Sequence, residues 1–409
     1  MKALQLFRLI GVLALLALYN TTALAAMPDA KLEEVSAKKV QQFKASYMGY
    51  PVNQDTLLAA FYDWYTKSGL TSLMLNNAGD PFNPHGNLGE LGIEREVIEH
   101  FAPLYGFDKK DVWGIVTMSG TDGNNHGIYF GYKLLERATG LKPILYVSTE
   151  SHYSNKRLAD LQNIEFKLID TDKMGAMLPS ALKAALDSSR PALIVYSMGT
   201  TFKGGIDDMA ALNKIVDKAN CPAVYRHVDA ALFGGYLPYT DGKKLVNAKV
   251  QHFDSIAVSG HKFFGIDEPC GLFLTTKEVL NKQAPFKITY LDSSMPMINC
   301  SRSTLSPLKF YWIINTVGTK GFTAQTQKMM EMTQYLKKSL DKLGWPAWLG
   351  KHSNTVFFKR PSEAVMNKYL LAPDVDARFG GDLAHVVVMQ HIDKAMIDRF
   401  IQDLRSEQK

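Results

Sequence analysis

Residues 255–265, Ser-Ile-Ala-Val-Ser-Gly-His-Lys-Phe-Phe-Gly, decide how the rest of the chain is interpreted. Five residues of strand-forming composition run directly into a small polar turn, and Lys262 stands in that turn. Burying a lysine is costly, and burial lowers the pKa of the amine so that its neutral form can attack a carbonyl group. The stretch therefore indicates either a lysine that forms a Schiff base with an aldehyde cofactor or a surface lysine at a strand end.

Length and composition are those of a globular protein. The 409 residues are 46% hydrophobic and 21% charged, which is enough for one large domain and a smaller one. The net charge is +6, but no long run of lysine and arginine indicates a nucleic-acid partner. The three cysteines, Cys221, Cys270 and Cys300, have neither metal-ligand spacing nor the pattern of a disulfide framework, so we expect no metal site.

The N-terminus has the features of a secretory signal peptide. Lys2 and Arg8 precede the apolar residues 9–19, and a small-residue cleavage pattern follows at residues 23–25. This apolar run is too short to span a membrane, and an uncleaved interfacial anchor is the alternative. We predict that residues 1–25 are a signal peptide and that the protein is exported, either to the periplasm or out of the cell. An unprocessed N-terminus would instead mean a cytoplasmic protein.

Strands and helices alternate from residue 113 onward, which predicts crossover connections and a mostly parallel sheet. Such a sheet binds ligands beyond the carboxyl ends of its strands. Beyond about residue 300 the pattern changes to a smaller α+β domain. The predicted domains are an N-terminal helical segment (26–85), a large domain (86–300) and a small domain (301–409). The strand-like segments of the large domain are residues 113–117, 144–148, 164–169, 191–197, 223–229, 255–259 and 271–275.

Polar groups follow several of these strands. Ser119, Gly120 and Thr121 join a strand to a helix, where backbone amides and hydroxyl groups suit a phosphate, although a plain turn has the same composition. His152 follows the next strand, and its imidazole could stack on a flat ring or hydrogen-bond within a loop. Thr200 and Thr201 lie near glycines, where a hydroxyl group could bind a phenolic oxygen or the segment could be a turn before a helix cap.

Asp229 ends another strand and is followed by Ala230 and Ala231, which leave room for a flat ligand. A carboxylate beside a pyridine nitrogen keeps that nitrogen protonated, and the protonated ring is an electron sink. An aldehyde-reactive lysine, this carboxylate, an imidazole for a ring face and a phosphate loop all match one molecule, pyridoxal 5′-phosphate (PLP).

With these motifs the chain resembles the group II PLP-dependent amino-acid decarboxylases, particularly the bacterial histidine decarboxylases and the plant serine decarboxylases. The resemblance covers roughly residues 75–405. It implies PLP as cofactor, fold type I and a homodimer with active sites at the interface. It also implies decarboxylation of an L-amino acid, with histidine as the leading substrate and serine as the second. The motifs that carry it are residues 48–51, 119–124, 151–154, 199–208, 227–231, 258–263 and 381–385.

The resemblance also implies the roles of individual residues. Lys262 would form the imine with PLP, Asp229 would pair with the pyridine nitrogen, and His152 would stack on the ring and touch the substrate. Arg302 would hold a substrate carboxylate. The remaining cofactor contacts would be Gly120, Thr121 and Ser259 at the phosphate, Ala231 on the other ring face, and Thr200, Thr201 and His261 as polar neighbours.

The sequence departs from this family in several respects, including an early loop in which Pro81, Pro84 and His85 stand at unexpected positions. Residues 303–307, Ser-Thr-Leu-Ser-Pro, replace the Asn-Gly-His-x-Pro stretch that usually follows the arginine, which leaves the substrate open. A mobile-loop tyrosine that would protonate the substrate Cα has no clear counterpart, and Tyr290 is a candidate by position only. An aminotransferase or carbon–sulfur lyase of the same fold, and an exported pseudo-decarboxylase without turnover, are the alternatives.

Overall fold

The structure is a computed structural model that describes residues 30–55, 58–72, 75–84, 89–283, 286–289 and 293–408. The chain divides into two compact units, the first ending at Tyr47 and the second beginning at Met48. Helix α1 (Ala30–Ser46) is the only helix described in the first unit. Within the described ranges, no helix combines the length and the apolar character needed to cross a membrane. The predicted signal peptide and Tyr290 lie outside the described residues.

The second unit is built on a seven-stranded sheet with the strand order β1-β7-β6-β5-β4-β2-β3. Strand β7 runs antiparallel to β1 and to β6, and the other neighbours are parallel. The predicted mostly parallel sheet is therefore confirmed. Its strands are β1 (Val112–Thr117), β2 (Ile144–Ser148), β3 (Phe166–Ile169), β4 (Ala192–Ser197), β5 (Val224–Asp229), β6 (Ser255–Ser259) and β7 (Gly271–Thr276).

Both faces of this sheet are covered, which is why its central strands are continuous apolar runs. In β1, Val112 and Val116 enter one hydrophobic cluster, whereas Trp113 and Ile115 enter a second one. The helices of this part of the chain are α2 (Ala59–Lys67), α3 (Leu91–Phe101), α4 (Gly120–Thr139), α5 (Tyr153–Leu161), α6 (Pro179–Ala185), α7 (Met209–Lys218), α8 (Phe233–Tyr236), α9 (Ala248–Gln251) and α10 (Lys277–Asn281).

A two-stranded antiparallel sheet, β8 (Phe286–Ile288) and β9 (Ser293–Met295), precedes a smaller part with an antiparallel sheet in the order β10-β11-β13-β12. The predicted smaller α+β part is confirmed, although β10 and β12 were not predicted. Its strands are β10 (Ala347–Leu349), β11 (Thr355–Lys359), β12 (Ala372–Asp376) and β13 (Gly381–Val387). Its helices are α11 (Leu305–Thr316), α12 (Gly318–Leu343), α13 (Glu363–Tyr369) and α14 (Lys394–Glu407).

Candidate active site

The carboxyl ends of β1, β2, β4, β5 and β6 meet around one cavity of about 260 Å³. Thr355 and Val387 of the antiparallel sheet and Pro51 complete its wall. Every residue predicted to bind the cofactor lines this cavity, whereas Arg302 does not. The lining residues that were predicted are Gly120, Thr121, His152, Thr200, Thr201, Asp229, Ala231, Ser259, His261 and Lys262.

Lys262 stands in the turn after β6, where the packing of its neighbours fixes the backbone. Phe263 is fully buried, and a side chain on Gly260 would overlap Cys270 and Phe310. Burial lowers the pKa of the Lys262 amine, and the nearby Asp229 carboxylate opposes this shift. The neutral amine, which is the nucleophilic form, is thereby favoured.

Asp229 is held at the end of β5 by two N–H donors. The side-chain amide of Asn155 donates to Asp229 Oδ2 at 3.1 Å, and the backbone amide of Ala231 donates to Oδ1 at 3.3 Å. Asn155 is fully buried on helix α5 and was not recognised from the sequence. These contacts orient the carboxylate relative to the cavity.

His152 caps the N-terminus of helix α5, the helix that carries Asn155. Its Nδ1 lies 2.7 Å from Ser154 Oγ and accepts the Ser154 amide at 3.3 Å. Burial lowers the pKa of His152, with Asp229 opposing the shift and Lys262 adding to it. A largely neutral imidazole at the cavity wall suits stacking on a flat ring.

The loop after β1 and the start of helix α4 form another part of the cavity wall. Ser119 caps helix α4 by accepting the Asp122 amide at 3.1 Å, and the helix begins at Gly120. The first amides of a helix have no carbonyl partner within it and together attract an anion. A side chain on Gly120 would overlap Ser259 Oγ, so glycine is what lets the hydroxyl group of β6 approach this helix end.

His227 is fully buried and contacts this region through Asn124. Its Nε2 lies 3.0 Å from Oδ1 of Asn124, which lines the cavity, and its Nδ1 lies 2.8 Å from Ser255 Oγ. Burial lowers the pKa of His227 to about 4, so the ring is neutral at physiological pH. The histidine of the predicted 227–231 motif therefore links β5, β6 and α4 and does not line the cavity.

The residues present fit PLP. Ser197 lines the cavity, and its Oγ is buried without a hydrogen-bond partner in the described chain. Ser151 Oγ and Asn155 Oδ1, whose residues neighbour the lining residue His152 or contact Asp229, are also buried without partners there. Buried polar atoms without partners indicate a polar ligand or solvent. A helix N-terminus for a phosphate, a carboxylate for a pyridine nitrogen and a buried amine for an aldehyde surround the same space.

This fold and this site define a PLP-dependent enzyme of fold type I. The pyridoxal-dependent decarboxylase conserved domain matches residues 132–349, and the chain belongs to that family. Serine decarboxylase 1 of Oryza sativa subsp. japonica is 32% identical over 367 residues, 88% of this chain and 71% of that protein. Histidine decarboxylase of Morganella morganii is 32% identical over 364 residues, 87% of this chain and 91% of that protein.

A solved structure shares the fold of this chain. L-methionine decarboxylase from Streptomyces sp. 590 has a TM-score of 0.76 at 20% identity, over 93% of this chain and 95% of that one. The predicted family, fold class and PLP cofactor are thus confirmed, and the protein is a PLP-dependent amino-acid carboxy-lyase. The roles of individual residues remain predictions.

Arg302 lies in a buried polar network outside the cavity lining. Its Nε and Nη2 donate to Glu94 at 3.1 and 2.9 Å, and Nη2 also donates to the Gly79 carbonyl at 3.1 Å. Glu94 also accepts the amide of Val116 in β1 at 2.9 Å. The observed contacts therefore support β1, the strand that leads into the loop before α4. The predicted contact between Arg302 and a substrate carboxylate remains a prediction.

We expect Arg302→Met to lower the free energy of unfolding by roughly 3–5 kcal/mol, because Glu94 would remain buried without its partner. Urea unfolding followed by circular dichroism measures this. The double variant Arg302→Met/Glu94→Leu should recover part of the loss. Lys67→Met, which breaks an exposed ion pair with Asp63, is the control and should change stability by less than about 1 kcal/mol. Unchanged stability with a raised KM would instead support the substrate role.

Proposed function

We propose that the protein converts L-histidine into histamine and CO2. The observation that carries this choice is the extent of the match, because similarity to the Morganella histidine decarboxylase runs through 91% of that enzyme. Serine decarboxylation to ethanolamine is the second candidate, since the rice enzyme reaches the same 32% identity over a smaller share of its own length.

PLP, when bound, supplies an electron sink for the electron pair released by the Cα–carboxylate bond. Lys262 would hold the cofactor through Nζ, and the low polarity around that amine favours its reactive neutral form. Asp229, oriented by Asn155, would hold a proton on the pyridine nitrogen. The N-terminus of α4 with Thr121 and Ser259 would hold the phosphate.

The remaining cavity wall would orient the substrate and exclude water. His152 would cover one ring face and touch the substrate, and Ala231 would pack against the other face. These residues would thereby orient the substrate so that the Cα–carboxylate bond, and no other bond to Cα, is the one that breaks. Among the cavity-lining residues, the titratable side chains that could return a proton to Cα are His152, Asp229, His261 and Lys262.

An amino-acid panel tests the proposed substrate. With added PLP, we expect histamine and CO2 from L-histidine, and a kcat/KM for histidine at least about tenfold above that for serine. Lys262→Ala prepared in parallel is the blank. If CO2 were released only from a different amino acid, the substrate assignment would be wrong, whereas the reaction type would still hold. A PLP-loaded protein that releases no CO2 from any common amino acid would instead support the pseudo-decarboxylase.

We also propose a homodimer whose interface covers the cavity mouth. Large apolar side chains are exposed beside cavity-lining residues: Met118 is 55% exposed next to Ser119, and Tyr153 is 61% exposed next to His152. Apolar surface gathered around a functional cavity is typical of an interaction site. Sedimentation equilibrium should give twice the monomer mass, and a monomer at micromolar concentration would contradict the proposal.

Export is a separate proposal that rests on residues 1–25 alone. N-terminal sequencing of the protein isolated from its native cells should give a chain that starts close to residue 26. An intact N-terminus on a cytoplasmic protein would overturn it without affecting the proposed reaction.

A further inference from the structure

His385 lies on β13 between two backbone carbonyl groups and is 3% exposed. Its Nδ1 is 2.7 Å from the oxygen of Phe202, and its Nε2 is 2.9 Å from the oxygen of Gly49. A neutral imidazole has one N–H group and can donate to only one of these oxygens, whereas an imidazolium donates to both. Both contacts are therefore satisfied together only when the ring carries a proton on each nitrogen.

The Gly49 carbonyl belongs to residues 48–53, here called the cavity strap. Its first residue is tied to β13, where the Val387 amide donates to the Met48 carbonyl at 2.9 Å. Its last residue reaches the active-site turn, where Asn53 Nδ2 donates to the Phe263 carbonyl at 3.0 Å. Pro51, between these two ends, lines the cavity. The contact with His385 therefore fixes the cavity strap. The last residue of this strap is hydrogen-bonded to Phe263, which directly follows Lys262.

The Phe202 carbonyl belongs to a tight turn, residues 200–204, on another side of the cavity. The Gly204 amide closes this turn by donating to the Thr200 carbonyl at 2.9 Å. Thr200 and Thr201 line the cavity, and the Phe202 ring stacks on His385 with centroids 4.5 Å apart and an interplanar angle of 21°. One imidazole thus holds two wall segments that are about 150 residues apart in sequence.

The groups around His385 act on its protonation in opposite directions. A second cavity of about 590 Å³ is lined by His385 together with three carboxylates and two cations, so the carboxylates outnumber the cations by one. Burial has the largest effect and holds the pKa of His385 below its ordinary value, although the carbonyls of Phe202 and Gly49 and the Asp374 carboxylate oppose this shift. The charged residues are Glu150, Asp374, Asp376, Lys203 and Arg378.

These groups also pair with one another. Lys203 Nζ lies 2.5 Å from Glu150 and 2.6 Å from Asp376, and Arg378 contacts the same two carboxylates. Both cations are therefore engaged by two carboxylates each. Asp374, which follows Pro373 in β12, is the acidic group whose charge acts on His385 itself.

We propose that His385 is a positioning residue for the decarboxylation: its doubly protonated ring joins the cavity strap to the 200–204 turn, and its neutral ring releases one of the two. Lowering the pH then tightens this wall of the cavity. Raising the pH through the titration of His385 loosens the wall, because one carbonyl oxygen then faces a nitrogen lone pair.

Because the pKa of His385 is lowered, amide hydrogen exchange of the PLP-loaded protein between pH 4 and 8, read by mass spectrometry, tests the proposal. After correction for the intrinsic pH dependence of exchange, at least one of the two wall segments should exchange on the order of tenfold faster above the transition than below it. A peptide covering helix α14 should show no such step. The variant His385→Gln carries two N–H groups that do not titrate and should remove the step.

His100→Gln is the matched control, since His100 is a half-buried histidine that does not line the cavity. It should keep the wild-type step, and His385→Phe should exchange fast in both segments at every pH. The KM should follow the same pH step in the wild-type protein and lose it in His385→Gln. A step that persists in His385→Gln, or wild-type exchange in His385→Phe, would overturn the proposal. The exchange readout needs no turnover, so an incorrect substrate assignment leaves this test intact.

Discussion

Lys262→Ala will give a folded chain that neither forms a coloured PLP adduct nor releases CO2, with kcat at least about 1,000-fold below the wild-type value. The amine is the group that can attach the cofactor covalently, and its burial favours the neutral form needed for that attachment. Truncation also removes a proton-transfer group from the cavity. An absorbance spectrum with PLP and a CO2-release assay measure both effects.

Two further variants show whether imine formation by Lys262, and not only a positive charge, is required. Lys262→Arg keeps a cation of similar length but forms no imine with an aldehyde, so we expect the same loss of colour and turnover. Lys249→Ala removes an exposed lysine that pairs with Asp108 at 2.7 Å, and it should behave like the wild-type protein. Colour and turnover that persist in Lys262→Ala would remove the basis for the role given to this lysine.

The parts of the site at strand ends could be predicted from the sequence because each strand is an apolar run that stops at a polar residue. Lys262 and Asp229 are recognisable in this way, and both line the cavity. Asn155 gave no such signal, because its contact with Asp229 depends on how α5 packs beside β5. An asparagine inside a short helix has the same local sequence whether it faces a partner or solvent.

The parts of the fold that the sequence left open depend on long-range pairing. Strand β7 inserts antiparallel between β1 and β6, and no local pattern specifies that neighbour. Strand β12 contains Pro373 and two aspartates, which lower strand propensity and suit the edge position it occupies. Glu94 lies on an amphipathic helix, where its complete burial with Arg302 follows from packing that the sequence pattern does not show.

Asp229→Asn is expected to lower kcat by roughly 100- to 1,000-fold while the chain stays folded, because the shape of the side chain is kept and its charge is lost. An amide cannot hold the pyridine nitrogen in its protonated form, and the unprotonated ring is a weaker electron sink. Single-turnover measurement of CO2 release at saturating PLP isolates this effect from weaker cofactor binding.

The same substitution should also change the pH dependence of PLP uptake in a defined direction. The Asp229 carboxylate raises the pKa of the Lys262 amine against the effect of burial, so its removal should lower that pKa further. The cofactor-free protein should take up PLP more slowly as Lys262 becomes protonated at falling pH. This decrease should occur at a lower pH in Asp229→Asn than in the wild-type protein.

Two further variants decide whether the loss comes from the charge at this position. Asn155→Ala removes one of the two N–H donors to the carboxylate and should lower kcat by only about tenfold. Asp254→Asn changes a half-buried carboxyl group that lies outside the cavity lining and whose pKa is raised to about 6 by loss of hydration, and it should leave kcat within about a factor of three. If Asp254→Asn and Asp229→Asn lowered kcat equally, the loss would reflect general disturbance of the core, and the role of Asp229 at the ring nitrogen would be refuted.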